Sequence, residues 1–275
     1  MKKTAKFILI VAVILLGVFA LTACNNSGPT VNQRWADAES ISFSIYDKNQ
    51  SDREVGTATI ATTTKLTQEE KDAVSGADTR VTVSVTIDNV TTESVYYSHI
   101  YDVLTVKKVY TDADHPENNY ELTAKHNDKN YEYTLTYPNA TDKNKSGKLN
   151  VGTSGYTDGE FLYMYVRCHD TSALPSSIKV ADPFTDEVTT LACSLVSSKS
   201  PVNTQSSLGT VNCNEISIHR SSTPIGGDIR AYYLPLSEGT YGTGTIIKSS
   251  CFPVKIVENN LTYVLNGFEP SQKNG

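Results

Sequence analysis

Apolar side chains recur at every second residue along much of this chain: Ile41, Phe43 and Ile45; Val81, Val83, Val85 and Ile87; Tyr131, Tyr133, Leu135 and Tyr137. Only an extended backbone puts every second side chain on one face, so these runs predict half-buried strands, apolar inward and polar outward. Further β-rich runs at 103–110, 120–124, 188–195, 211–219, 229–234 and 251–257 are bounded by turn residues. Asn127-Asp128-Lys129-Asn130 and Asn259-Asn260 read as hairpin loops, because Asn and Asp tolerate the left-handed conformation that tight turns need. Strand following strand across short turns predicts a mainly β chain with a mainly antiparallel sheet.

Helix signals are few. Thr157 and Glu160 stand at the spacing of a capping box, which would start a helix with Phe161, Met164, Tyr165 and Cys168 on one face. A strand with Leu162, Met164, Val166 and Cys168 inward fits the same short run, and helix is the narrower preference. The segment 65–73, KLTQEEKDA, is read as a short helix or an exposed excursion between strands. Segments 138–148 and 237–249, rich in Gly, Ser, Thr, Asn and Lys, are expected as long surface loops. There is no fixed-period repeat.

Ahead of the strands stands a different kind of segment. Lys2, Lys3 and Lys6 precede an uncharged apolar run over 7–23, the pattern of an export signal. Its end, Leu21-Thr22-Ala23-Cys24, resembles the lipobox of bacterial prolipoproteins, which implies cleavage before Cys24 and lipid on that cysteine. An uncleaved span is the competing reading, but the run falls short of the roughly 20 residues a membrane helix needs. Two acyl chains, each buried methylene adding about 0.8 kcal/mol, would hold the chain firmly at the extracytoplasmic face of a membrane. The expected organisation is a signal peptide over 1–23, a lipidated tether over 24–34, one β-rich domain over 35–270 and a disordered tail over 271–275.

The formal net charge of −6 becomes more negative once the leader lysines are removed, which disfavours a nucleic-acid partner. Cys168, Cys193, Cys213 and Cys251 permit two disulfides in three pairings, or buried reduced thiols; their wide spacing speaks against zinc.

No constellation of a known chemistry is complete. Residues 152–156, GTSGY, lack the second glycine of a nucleophile elbow, and 239–244, GTYGTG, has no lysine to complete a phosphate cradle. Asp112, Asp114 and Glu117 surround Pro116 where a calcium loop would need a ligand, so an acidic turn is the expectation. No two of the five histidines stand at helical zinc spacing, and the neighbours Cys168 and His169 point apart on either a strand or a helix. No cofactor and no catalytic set is predicted. The 16 tyrosines could line a groove, though tyrosine is also ordinary strand composition.

Taken in order, 208–220 (LGTVNCNEISIHR), 227–234 (GDIRAYYL) and 252–268 (FPVKIVENNLTYVLNGF) resemble the C-terminal half of an uncharacterised family of bacterial envelope lipoproteins. The fold of that family is similar to the lipoprotein-localisation carriers (LolA/LolB-like), and 55–60 (VGTATI) and 156–168 (YTDGEFLYMYVRC) fit it more loosely. The Gly/Thr/Ser insertion near Tyr241 departs from the pattern. The resemblance implies a curved antiparallel sheet, an open half-barrel around a few short helices, with an apolar concavity. Phe161, Met164 and Tyr165 would then contact a hydrophobic small molecule or lipid. The alternative is an adaptor that binds another envelope protein through a sheet edge or loops.

Overall fold

The structure, a computed structural model, describes residues 38–220, 229–235, 240–241, 245–246 and 252–270. The leader, Cys24, the tether, Cys251 and the tail lie outside the described residues, as does most of the segment 237–249.

The alternating runs form strands. The first eight are β1 (Ala38–Asp47), β2 (Arg53–Thr63), β3 (Thr79–Ile87), β4 (Val90–His99), β5 (Asp102–Asp112), β6 (Tyr120–Asn127), β7 (Asn130–Thr136) and β8 (Lys145–Asn150). They make an antiparallel meander, each strand paired with the next. After β9 (Tyr156–Asp158) the chain continues through β10 (Ile178–Asp182), β11 (Glu187–Asn203), β12 (Thr210–Arg220), β13 (Ile229–Tyr233), β16 (Pro253–Glu258) and β17 (Leu261–Pro270). A separate ribbon, β14 (Thr240–Tyr241) and β15 (Thr245–Ile246), interrupts that run.

Because β17 pairs with β1, the two series join into one sheet of fifteen strands, ordered 8-7-6-5-4-3-2-1-17-16-13-12-11-10-9. Every pairing in it is antiparallel except that of β9 with β10. The hairpin turns sit where Asn and Asp were read as turn formers. Asp128 and Asn259 take positive φ, +56° and +53°, between β6 and β7 and between β16 and β17. One glycine is required on steric grounds: a Cβ on Gly56 in β2 would lie 1.9 Å from the Thr86 carbonyl oxygen of β3.

The sheet is curved and does not close. Its edges are β8 and β9, yet the meander and the β10–β11 turn meet through side chains. The Tyr133 ring crosses over its strand neighbour Gly147 and its hydroxyl donates to Asp186. The Lys145 amino group donates to the Phe184 carbonyl at 2.8 Å and pairs with Asp186 at 3.0 Å. Tyr120 meets Phe184 edge to face. These contacts hold the curl without a backbone ladder across the gap.

What fills the concave side is the segment after β8. It runs along β9, tightens into a 3-10 turn (Gly159–Phe161) and ends in the short helix α2 (Leu162–Arg167), every residue of which is buried. Phe161, Leu162, Met164 and Val166 pack against the inward row of β1, Ile41, Phe43 and Ile45, within one apolar core. Each side chain so buried contributes about 1.5–3 kcal/mol. The expected helix is therefore present, but it starts at Leu162. Thr157 belongs to strand β9 and caps nothing, since β9 is held by its parallel partner β10 and by the Tyr156 hydroxyl on the Val103 carbonyl at 3.1 Å. The capping box forms instead at the other short helix, α1 (Gln68–Ala73), where Thr67 and Glu70 satisfy each other's backbone amides. Glu70 also takes hydrogen bonds from Arg80 and Tyr97, which dock α1 on the sheet.

Two expectations about extent need correction. The segment 138–148 is not one long loop, because its second half pairs with β7 as strand β8. The run at 188–195 extends as β11 to Asn203, with register shifts around Ser197 that alternation alone does not reveal. Cys193 and Cys213 are free thiols, the second of them buried, and Cys168 is buried. Burial pushes Cys193 and Cys213 up to about 12, so they act as small apolar side chains.

One polar pair crosses the core. Arg167, at the end of α2, forks onto both carboxylate oxygens of Glu39 on β1, and both side chains are fully shielded from solvent. Glu39 stands in phase with Ile41, Phe43 and Ile45, so strand geometry delivers a charge to the inner face. Arg167→Met, which leaves the Glu39 charge buried, is expected to cost about 3–5 kcal/mol of stability in urea denaturation. The double variant Glu39→Leu/Arg167→Met is expected to recover most of that loss, because no buried charge remains.

Candidate functional site

A second charged group enters the interior from the meander. Lys108 lies on the inward phase of β5 and is 7% exposed. Facing it, β9 and the 3-10 turn present Asp158 and Glu160, with the ammonium 3.5 Å from Asp158 and 3.0 Å from Glu160. Tyrosines from the neighbouring strands complete the set. Tyr96 on β4 donates to Glu160 at 2.6 Å, and Tyr131 on β7 donates to Asp158.

Gly159 between the two acids has φ +36°, and a Cβ there would lie 2.8 Å from the lysine nitrogen. Glycine thus permits both the backbone turn and the close approach of the ammonium.

The electrostatics follow from the pairing. Burial alone would push Lys108 down, but Asp158 and Glu160 outweigh it and hold the ammonium above the ordinary lysine value. Burial likewise pushes Glu160 up, and Lys108 with the Tyr96 hydroxyl overcomes that, leaving it below the usual carboxylate range. Burial and the adjacent carboxylates drive Tyr96 and Tyr131 well above the ordinary phenol value. Neither Lys108 nor Glu160 is poised to exchange a proton near neutrality, so this cluster positions charge and does not relay it.

The cluster forms one side of a cleft of about 520 Å³. The rest of the lining is apolar at Leu122, Leu162, Val180, Leu191, Ile218 and Ile229, with Phe184 at the β10–β11 turn, and polar at Asp182, Thr189, His219, Arg220 and Asn259. Glu258, at the end of β16, also reaches it. Its carboxylate accepts a hydrogen bond from Tyr163 of α2 at 2.8 Å. Burial pushes Glu258 up against that hydrogen bond, and the charge of Glu160 adds to the rise.

Of the residues expected to meet a ligand, Phe161, Met164 and Tyr165 are at most 3% exposed and belong to the packed core. Their neighbours Leu162 and Tyr163 face the cleft instead. His169, the neighbour of Cys168, bonds the Tyr165 carbonyl through Nδ1 at 2.9 Å. Asp112 caps its own turn by accepting from the amides of Asp114 and His115. No cluster of three metal-ligating side chains occurs among the described residues.

Sequence reading missed Lys108, Asp158, Glu160 and Glu258. One signal was legible: Lys108 stands two residues after Val106 and so shares its inward face, while the bulge between the Tyr97–Thr105 and Ser98–Val103 pairs brings Val103 onto that face as well.

Comparison with known proteins adds little to this geometry. No family model matches the chain, and no curated protein matches it. Among solved structures, it is similar to a β-barrel-like protein of a domain of unknown function, DUF1849, from Brucella abortus. The two are 8% identical with a TM-score of 0.49, over 88% of this chain and 100% of that one.

The charges in the cleft make opposite predictions about stability. Glu160 titrates lower in the folded state, so its contribution is present above the ordinary carboxylate value of 4.5 and is lost as pH falls. Lys108→Met is expected to destabilise by about 3–5 kcal/mol near neutrality, with the deficit shrinking as pH falls, because Glu160 without the ammonium is pushed up by burial and takes up a proton. Glu258 titrates higher in the folded state, so stability is lost as pH rises through that range. Glu258→Gln is expected to melt no lower than the parent at neutral pH, the difference vanishing below pH 4.5. Thermal melts across pH 4–8 test both.

Proposed function

We propose that this chain is an exported, lipid-anchored protein of the bacterial cell envelope whose β domain binds a small amphipathic molecule in the cleft beside Lys108 and Glu258. The address rests on the basic start, the apolar run over 7–23 and the lipobox-like Leu21–Cys24, with lipid on Cys24 and the domain on the extracytoplasmic face. The observation that carries the binding reading is the cleft itself. Its volume falls within the usual range of roughly 300–1,000 Å³ for ligand sites, and it sets hydrocarbon walls against a few fixed polar groups.

This refines the carrier role that the resemblance to the lipoprotein-localisation carriers implies. Helix α2 and its apolar side chains occupy the concave face, which leaves the cleft rather than the whole concavity for a ligand. A binding role is favoured over catalysis because the buried lysine and its carboxylates are held in their charged forms by one another. An adaptor role has less in its support: Leu195 and Val196 are exposed beside the register shift in β11, and a pair of surface apolar residues is common.

Cys24→Ser is expected to move the protein from the membrane fraction to the soluble fraction and to abolish labelling by radioactive palmitate. Native mass spectrometry of the full-length protein released from lipid nanodiscs is expected to show a bound small amphiphile, lost in Ile218→Trp, which fills the cleft. A protein that carries no adduct and binds none of a panel of short amphiphiles would overturn the binding reading, whatever the outcome for Cys24.

A further inference from the structure

Four carboxylates line the cleft, Asp158, Glu160, Asp182 and Glu258, and their charges are not balanced alike. Asp158 and Glu160 share Lys108 and take further hydrogen bonds from Tyr131 and Tyr96. Glu258 forms no ion pair among the described residues, and its one hydrogen bond there is from Tyr163. An ionised carboxylate can accept about four hydrogen bonds, so most of its capacity faces the cleft unused.

Its position is fixed. The Tyr163 side chain that holds it is buried, and the carbonyl of Tyr163 is in turn held by the Tyr233 hydroxyl at 3.0 Å. Of the cleft's other charged and titratable groups, Lys108 is already matched by two acids, Asp182 is turned to the amides of its own loop, His219 is half-buried and Arg220 is exposed, and none of them forms a described ion pair with Glu258. The nearest charge acting on Glu258 is that of Glu160, which has the same sign.

We propose that the cleft selects an amphipathic cation: an organic ammonium whose charged nitrogen sits against Glu258 while its apolar body lies along Leu162, Ile218 and Ile229. This rests on the cleft being the binding site and adds the chemistry of the head group. A charged nitrogen would satisfy the free acceptor capacity of Glu258 and remove the penalty of a half-buried, uncompensated carboxylate. Hydrocarbon walls on the other side exclude a bare divalent metal ion, which needs six or more oxygen ligands around it. An anionic head group beside Glu258 would meet the like charges of Glu160 and Glu258, with Lys108 already matched, and a neutral one would leave Glu258 uncompensated.

Isothermal titration calorimetry of the full-length lipoprotein in nanodiscs, with empty nanodiscs as the blank, tests this using three probes of equal chain length: hexylammonium, hexanol and hexanesulfonate. Hexylammonium is expected to bind at least tenfold more tightly than hexanol, and hexanesulfonate more weakly than either. Glu258→Gln is expected to lower hexylammonium affinity to that of hexanol, and Glu258→Asp to retain part of the preference. Hexanol binding as tightly as hexylammonium, or a preference that survives Glu258→Gln, would overturn the head-group assignment and leave the cleft as a binding site. Failure of all three probes to bind would overturn the assignment and the cleft together.

Discussion

An open sheet of fifteen strands has a broad apolar inner face that must be covered, and in this protein the cover is the segment from Tyr156 to Arg167. Two charged contacts pin it. Lys108 reaches from β5 to Asp158 and Glu160 at its beginning, and Arg167 at its end reaches Glu39 on β1. Neither pair is a simple gain in stability, since desolvating charges costs about as much as their attraction returns. What such pairs provide is position: a helix of six residues has too little surface to specify its own seat by apolar packing alone.

The same arrangement explains why the cleft exists. The sheet is built from two series of strands that start from neighbours, β1 and β17, and curl toward each other until β8 and the β10–β11 turn touch. Because contact there is made by Tyr133, Lys145 and Phe184 and not by a ladder, the inner segment does not fill the whole concavity on that side. The space left over is bounded by Lys108 and its acids, by α2 and by the strands of the second series. Glu258 stands out within it. Asp158 and Glu160 are paired with Lys108, whereas burial and Glu160 both work against the ionisation of the half-buried Glu258. A group kept at a cost to stability is where a binding function is best sought.

Much of the strand content could be read residue by residue. Ile41, Phe43 and Ile45, Val81 and Val83, and Tyr131, Tyr133 and Leu135 are buried as their spacing requires, and the turns at Asp128 and Asn259 follow from local backbone preference. Reading failed where a tertiary partner outweighed local pattern. The Thr157 and Glu160 spacing suggested a cap, but Thr157 is claimed by a parallel strand and Glu160 by Lys108 and Tyr96. The expected ligand contacts Phe161, Met164 and Tyr165 are packed in the core, whereas Leu162 and Tyr163 line the cleft. A helix buried all round has no exposed face to infer, and only its neighbours decide that Leu162 and Tyr163 look into the cleft.

By itself, then, the amino-acid order determined what is local: extended conformation from period-two alternation, turns from Asn and Asp, and a basic start and apolar run ending at Cys24 that resembles a prolipoprotein leader. It also placed Glu39 on an inward phase, a charge that had to find a partner. Which partner it found, and that Lys108, Asp158, Glu160 and Glu258 meet at one cleft although up to 150 positions separate them, was decided only by the tertiary structure. The pairing of the first strand with the last, and the inward path of the segment between the two series, depend on burying one continuous apolar face; no short window of sequence contains that requirement.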